Sequence, residues 1–187
     1  MNTKAIIFDF FDVFQRDAYK AWLTANDFPN IQEYAAASRL LDKGMLSSSE
    51  FLQRLSDLSG QKVTWESMGV GGAINAEVVA VAAALKERCS TALLSNAPSA
   101  LLRGILAEND LERLFDQIVI SSEVGYAKPD PGIFTIALDR LGVRPRDTVF
   151  IDDNSTHTSV AETLGIRGIQ FLSVSQLKEE LSQLEIL

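Results

Sequence analysis

Four short stretches place chemically useful side chains at the ends of apolar runs. They are Asp9 in KAIIFDFFDV, Ser95 with Asn96 in LLSNAP, Lys128 in GYAKPDPGIF, and Asp152 with Asp153 in VFIDDN. A carboxylate that closes a buried strand is suited to act as a nucleophile or a metal ligand, and equally to form a turn. Asp9 with the Asp152–Asp153 pair would make the all-oxygen donor set that hard divalent cations prefer. Lys128 could neutralise such a carboxylate and an anion beside it. Taken singly, Ser95 and Asn96 read as loop residues, Lys128 as a solvated charge and the acidic pair as a helix cap. Their joint occurrence is what favours a site.

The elements that must position these groups follow from hydrophobic periodicity. AIIFDF (5–10), STALLSN (90–96), DQIVISS (116–122), DTVFIDD (147–153) and GIQFLS (168–173) are short, β-rich and apolar nearly throughout. Between them lie SALLRGILAENDLERLF, PGIFTIALDRLG and SVAETLG, with apolar residues at helical spacing. Such alternation predicts an α/β fold, a doubly wound parallel sheet covered on both faces, with ligands bound beyond the carboxyl ends of the strands. All the singled-out polar residues fall at those ends. The first strand is not followed by one crossover helix. DAYKAWLTAND, NIQEYAAASRLLDKG and SSSEFLQRLSDLSG all look helical, the last opening with a Ser47–Glu50 capping box and ending at Gly60. NAEVVAVAAALKER (75–88) then reads as the helix that returns to the sheet. The expected division is a core of residues 1–14 and 73–187 with a helical insertion at 15–72. GVGGAIN (69–75) lacks the third glycine of a dinucleotide fingerprint and the lysine of a P-loop, and reads as the return hinge.

The 187 residues carry a formal net charge of −8, which argues against a nucleic-acid partner, since that affinity comes from clustered Lys and Arg. No apolar run approaches the roughly 20 residues needed to span a bilayer, and Asp9 interrupts the N-terminal stretch, so neither a membrane anchor nor a signal peptide is expected. Cys89 is the single cysteine, which excludes an internal disulfide and suits a reducing cytoplasm.

The four motifs, in this order, resemble those of the haloacid dehalogenase-like (HAD) hydrolase superfamily, most nearly its phosphatases with a helical cap inserted after the first motif. The resemblance implies Asp9 as nucleophile, Ser95 as a phosphate-binding hydroxyl and Lys128 as the cation of the third motif. It implies a magnesium ion held by Asp9, the backbone carbonyl of Phe11 and the acidic pair, with Asp153 on the metal and Asp152 behind it. The physical requirement agrees, because a carboxylate attacks a phosphate dianion only when their repulsion is offset. Backbone amides near Asn96 at a helix start could hold phosphate oxygens, and Asp130 as N-cap with Pro131 at the first helical position would fix the helix after Lys128.

One position departs from the family. Its phosphatases carry a second Asp two residues after the nucleophile, which protonates the leaving alcohol; here that residue is Phe11. Asp12 points to the other side of an extended segment and reads as a left-handed turn residue. Losing a general acid costs on the order of 10²–10⁴ in rate, a partial loss that leaves a phosphatase, weak or suited to good leaving groups, as the primary expectation. Two alternatives stand beside it. A 2-haloacid dehalogenase also has an aromatic residue at this position, but works without metal and lacks a full acidic pair in its fourth motif. An inactive HAD-fold protein would bind a ligand or partner without turnover.

The expected substrate is a small phosphorylated metabolite. Arg16 is a candidate contact for a substrate anion, against a plain reading as surface charge. Tyr19 and Trp22 fit a core stripe better than a pocket wall. His157 lies four residues past Asp153, Cys89 reads as structural, and SVSQLKEELSQLEIL as an amphipathic helix packed on the last strand. Oligomeric state is left open.

Overall fold

Apolar runs at five places form one all-parallel sheet: β1 (Ala5–Phe8), β2 (Ser90–Ser95), β3 (Gln117–Ile120), β4 (Thr148–Asp152) and β5 (Arg167–Gln170), in the order β3-β2-β1-β4-β5. The computed structural model describes residues 3–26, 28 and 31–187. Met1 and Asn2, Asp27 at the end of the first expected helical stretch, and Asn30 at the start of the second lie outside the described residues. Alternate residues of each strand face opposite sides, as the pleat requires. Ile6, Phe8, Leu93, Val149 and Ile151 pack on one face with α4 (Ala76–Lys86), α5 (Ser99–Glu108) and α9 (Val174–Gln183). Ile7, Ala92, Leu94, Val119 and Phe150 pack on the other with α7 (Pro131–Leu141) and α8 (Ser155–Thr163). The sheet is therefore buried on both sides, and β1 sits where the chain order reverses between β2 and β4. That is where a doubly wound sheet opens a crevice.

Three helices intervene between β1 and α4: α1 (Ala18–Ala25), α2 (Ile31–Asp42) and α3 (Ser48–Ser59). They bury their own apolar cluster, including Trp22, Tyr34, Leu41, Phe51 and Leu55. The Ser47–Glu50 capping box and the left-handed Gly60 cap bound α3 as the sequence predicts. The outgoing and returning chains pair where they leave the core. The Asn75 amide donates to the Phe14 carbonyl at 2.8 Å, and Gln15 Nε2 to the Gly72 carbonyl at 2.6 Å.

Two expectations need correction. Ser121 and Ser122 do not extend β3; they open the short helix α6 (Ser121–Val124), which ends at a left-handed Gly125. Their hydroxyls accept from the amides of Ala97 and Ser99, tying the start of α5 to the end of β3. The stretch expected as one helix to Phe115 breaks after Glu108, because Asp110 turns left-handed (φ 52°), and Glu112–Leu114 form a separate 3₁₀ turn. The C-terminal helix buries Leu177 and Leu181 in the cluster that holds Ile169 of β5, beside α4.

The turn after α2 lies on α6. At Gly44 (φ +68°) an added Cβ would meet the Ser122 carbonyl oxygen at 2.6 Å, whereas at Gly60 (φ +70°) it would meet nothing within 4 Å. Gly60→Ala should thus cost about 1 kcal/mol for its left-handed backbone, and Gly44→Ala about 2–4 kcal/mol once the clash is added. Urea unfolding of the two variants measures the difference; equal losses would mean that the turn does not rest on α6.

Candidate active site

Asp9 is the first residue beyond β1, yet its amide still donates to the Ile151 carbonyl at 2.8 Å, so the sheet ladder holds its backbone. Beneath it Phe8 and Phe10 each pack on Phe14, edge-on at 5.6 Å and stacked at 6.0 Å, a geometry that locks aromatic side chains and the turn carrying them. Asp12 adopts the left-handed backbone expected of it (φ 57°). Its carboxylate accepts from the Asp17 amide at 3.0 Å, which fixes the entry to α1.

Lys128 arrives from the loop before α7. Asn96 holds its main chain in both directions: Asn96 Nδ2 donates to the Lys128 carbonyl at 2.9 Å, and the Lys128 amide donates to Asn96 Oδ1 at 2.8 Å. Asp130 caps α7, accepting from the Gly132 amide, with Pro131 at the first helical position as the sequence predicts. Thus anchored on both sides, Lys128 Nζ donates to Asp9 Oδ1 at 2.6 Å and to Asp152 Oδ2 at 2.7 Å. All three side chains are nearly excluded from solvent.

One buried ammonium thus serves two buried carboxylates, and the two are not served equally. Asp152 also accepts from the Asn154 amide at 2.8 Å, and its oxygens lie 3.0 and 3.1 Å from His157 Nδ1. Burial would raise its pKa, but Lys128 and His157 overcome that and hold it below the usual carboxylate range. Asp9 lacks those partners; burial pushes it up to about 7, against the pull of Lys128 and with Asp152 adding to the rise. Asp9 is the carboxylate that gains most from another positive charge.

A third carboxylate lies close by. Carboxylate oxygens of Asp9, Asp152 and Asp153 lie within 4.8 Å of one another. This is a spacing and chemistry that a hard divalent cation fits. Asp152 is already surrounded by donors, whereas the carboxylate of half-buried Asp153 meets only Lys20 Nζ, at 3.0 Å, among the described residues. Lys20 also reaches Asp12 Oδ2 at 2.7 Å, and its side chain is 62% exposed. Such an exposed pair contributes little and yields easily to a stronger cation.

Asp9, Phe11, Arg16, Asn96, Lys128 and Asp153 line one cavity of about 280 Å³ beneath α1, α2 and the return hinge. Of the residues singled out from the sequence, Asp12, Tyr19 and His157 converge there with these six; Arg16 is exposed at its edge, and the Phe11 ring stands edge-on to Phe10. Ser95 is fully buried and is not among the residues that line the cavity; its hydroxyl has no partner among the described residues. The amides of Ala97 and Ser99, at the expected anion-binding helix start, are already engaged by Ser121 and Ser122. Trp22 is core, whereas Tyr19 both packs in the three-helix cluster and lines the cavity. Lys20 and Asp42, the last residue of α2, also line it. Sequence reading missed both, since a lysine and an aspartate on amphipathic helices look like solvated charges.

A family model described as haloacid dehalogenase-like hydrolase matches residues 3–165. The chain is 27% identical over 154 residues to (S)-2-haloacid dehalogenase 1 of a Pseudomonas species, covering 82% of this chain and 63% of that protein, so it spans less than two thirds of that relative's length. It is 26% identical over 153 residues to D-ribitol-5-phosphate phosphatase of Bacteroides thetaiotaomicron, covering 76% and 74% of the two chains. Among solved structures, a predicted HAD-like family hydrolase from Porphyromonas gingivalis superposes with a TM-score of 0.81 at 23% identity over 99% of this chain and 98% of that one. A HAD family enzyme of Bacteroides thetaiotaomicron, in complex with magnesium and inorganic phosphate, superposes at 0.73 with 24% identity over 90% and 93%.

Removing the shared ammonium leaves two buried carboxylates facing each other. Lys128→Met should lower the metal-free unfolding free energy by about 3–5 kcal/mol, as read by urea titration. A loss under about 1 kcal/mol would mean that solvent, not Lys128, screens the pair.

Proposed function

Because the chain belongs to the haloacid dehalogenase-like hydrolase family, we propose that it is a magnesium-dependent phosphatase of a small phosphorylated metabolite, acting through an aspartyl-phosphate at Asp9. The observation that carries this reading is the Lys128 ammonium bonded to both Asp9 and Asp152, with Asp153 completing an oxygen cluster at the crevice of the sheet. Magnesium would be held by Asp9, Asp153 and the Phe11 carbonyl, and when bound would offset the negative charge of nucleophile and phosphate. Asp152 holds Lys128 and His157 in place behind that set. Lys128 keeps the Asp9 carboxylate oriented and neutralises a phosphate oxygen, and the Ser95 hydroxyl takes another. Asn96 acts chiefly by clamping the Lys128 backbone. Residues 15–72 act as a cap that closes the cavity, excludes water and supplies the substrate contacts, Arg16 among them. The free thiol of Cys89 suits a cytoplasmic location, and among the described residues no helix is long and apolar enough to cross a membrane.

A dehalogenase reading draws support from Phe11, an apolar wall where a phosphatase has its acid, and from the dehalogenase relative. The complete Asp152–Asp153 pair favours the phosphatase.

Assays with acetyl phosphate and p-nitrophenyl phosphate separate the two. Phosphate release should require magnesium, stop with a chelator, and fall about 10⁴-fold or more in Asp9→Asn. Chloride release from 2-chloropropionate without phosphatase activity would reverse the choice. Magnesium at about 100 times its dissociation constant should also stabilise the wild type by about 2.7 kcal/mol. Asp153→Asn should abolish that gain in a thermal melt; a retained gain would move the cation elsewhere.

A further inference from the structure

An aspartyl-phosphate mechanism with Phe11 beside the nucleophile leaves the departing oxygen without a proton donor from β1. On the core side, Asp152 is bound by Lys128, Asn154 and His157, and Asp153 belongs to the metal set. The opposite wall of the same cavity carries Asp42, at the C-terminal end of α2, one turn beyond Ser38. Its position opposes ordinary helix electrostatics, which favour cations at a C-terminus. It is half-buried and, among the described residues, has no hydrogen-bond or ion-pair partner.

We propose that Asp42 is the acid that protonates the leaving oxygen, so that the proton donor of this phosphatase comes from the helical segment and not from the nucleophile's own turn. The inference rests on the aspartyl-phosphate reading. The bond from Asp9 to phosphorus forms as the phosphorus–oxygen bond to the leaving group breaks, and the Asp42 proton passes to that oxygen. Water then attacks the aspartyl-phosphate, its hydroxyl joins phosphorus, Asp9 leaves as carboxylate, and the second proton of the water restores Asp42. The group is suited to both transfers: burial, then the neighbouring Asp17, push it up to about 7, against the pull of Lys128. Facing it across the cavity are Arg16, Asp17 and Tyr19 from the α1 side, and Asp9, Lys128 and His157 from the core, with Lys20, Asp12 and Asp153 paired among themselves.

The test is single-turnover cleavage of glycerol 2-phosphate, whose alkoxide needs a proton, against p-nitrophenyl phosphate, whose phenolate does not. Asp42→Asn should slow the first by about 10²–10⁴ and leave the second within a few-fold. Wild-type cleavage of glycerol 2-phosphate should decline above about pH 7 as Asp42 ionises, and Phe11→Asp should restore it in the Asp42→Asn background. Equal losses on both substrates, a rise in KM alone, or no rescue would overturn the assignment. Wild-type enzyme with magnesium that cleaves neither substrate would overturn the hydrolase reading itself. Folding is checked separately. The raised pKa makes the wild type lose stability as pH climbs from about 4 to 7, so Asp42→Asn should gain in Tm relative to wild type between pH 5 and pH 8. A variant that only loses stability at pH 8 counts against a neutral, cavity-facing Asp42.

Discussion

A single ammonium set between two buried carboxylates at the floor of the crevice is the contact on which the rest depends. Desolvating three charges costs far more than a surface pair returns, and it is tolerable only when each group finds fixed partners. Asp9 is held by the sheet ladder, Asp152 by an amide and an imidazole, and Lys128 by the two-way clamp of Asn96 on its backbone. Residues far apart in the chain are thus locked together before any ligand arrives. With both acids ionised the net charge of the trio is negative, which favours a further positive charge beside it.

The scaffold explains why the charges can be kept there. β1 is the central strand, and its ends open between neighbours reached by crossovers on opposite faces. The phenylalanines of FDFF serve the fold as much as the chemistry. Phe8 and Phe10 pack under the turn, while Phe11 faces the cavity. The polar cost of the turn is met locally, by Asp12 in a left-handed backbone with the Asp17 amide on its side chain.

The three-helix segment has its own small core and meets the rest through few polar contacts. Paired backbone at the hinge, the Gly44 turn against α6, and Lys20 between Asp12 and Asp153 are the main ones.

The order of the strands and main helices, the four motif ends, both caps of α3 and the start of α7 were legible in the sequence, because they rest on periodicity and on local backbone preferences of Ser, Asp, Pro and Gly. Asp12, the Asp130–Pro131 start and the Ser47–Glu50 box are instances where a few neighbouring residues settle the conformation. Ser121 and Ser122 were misread because an apolar run does not say where its ladder ends, and the α5 break turned on the backbone of one residue, Asp110. Sequence determined which groups are chemically able and roughly where each strand delivers them. Tertiary structure alone decided how they share charge: that Lys128 bonds two acids at once, that Asp152 is saturated while Asp9 is not, and that Asp42 lines the cavity with no partner among the described residues. Those facts depend on distances between segments far apart in the chain and on the exclusion of water around them, and no local pattern of residues encodes either.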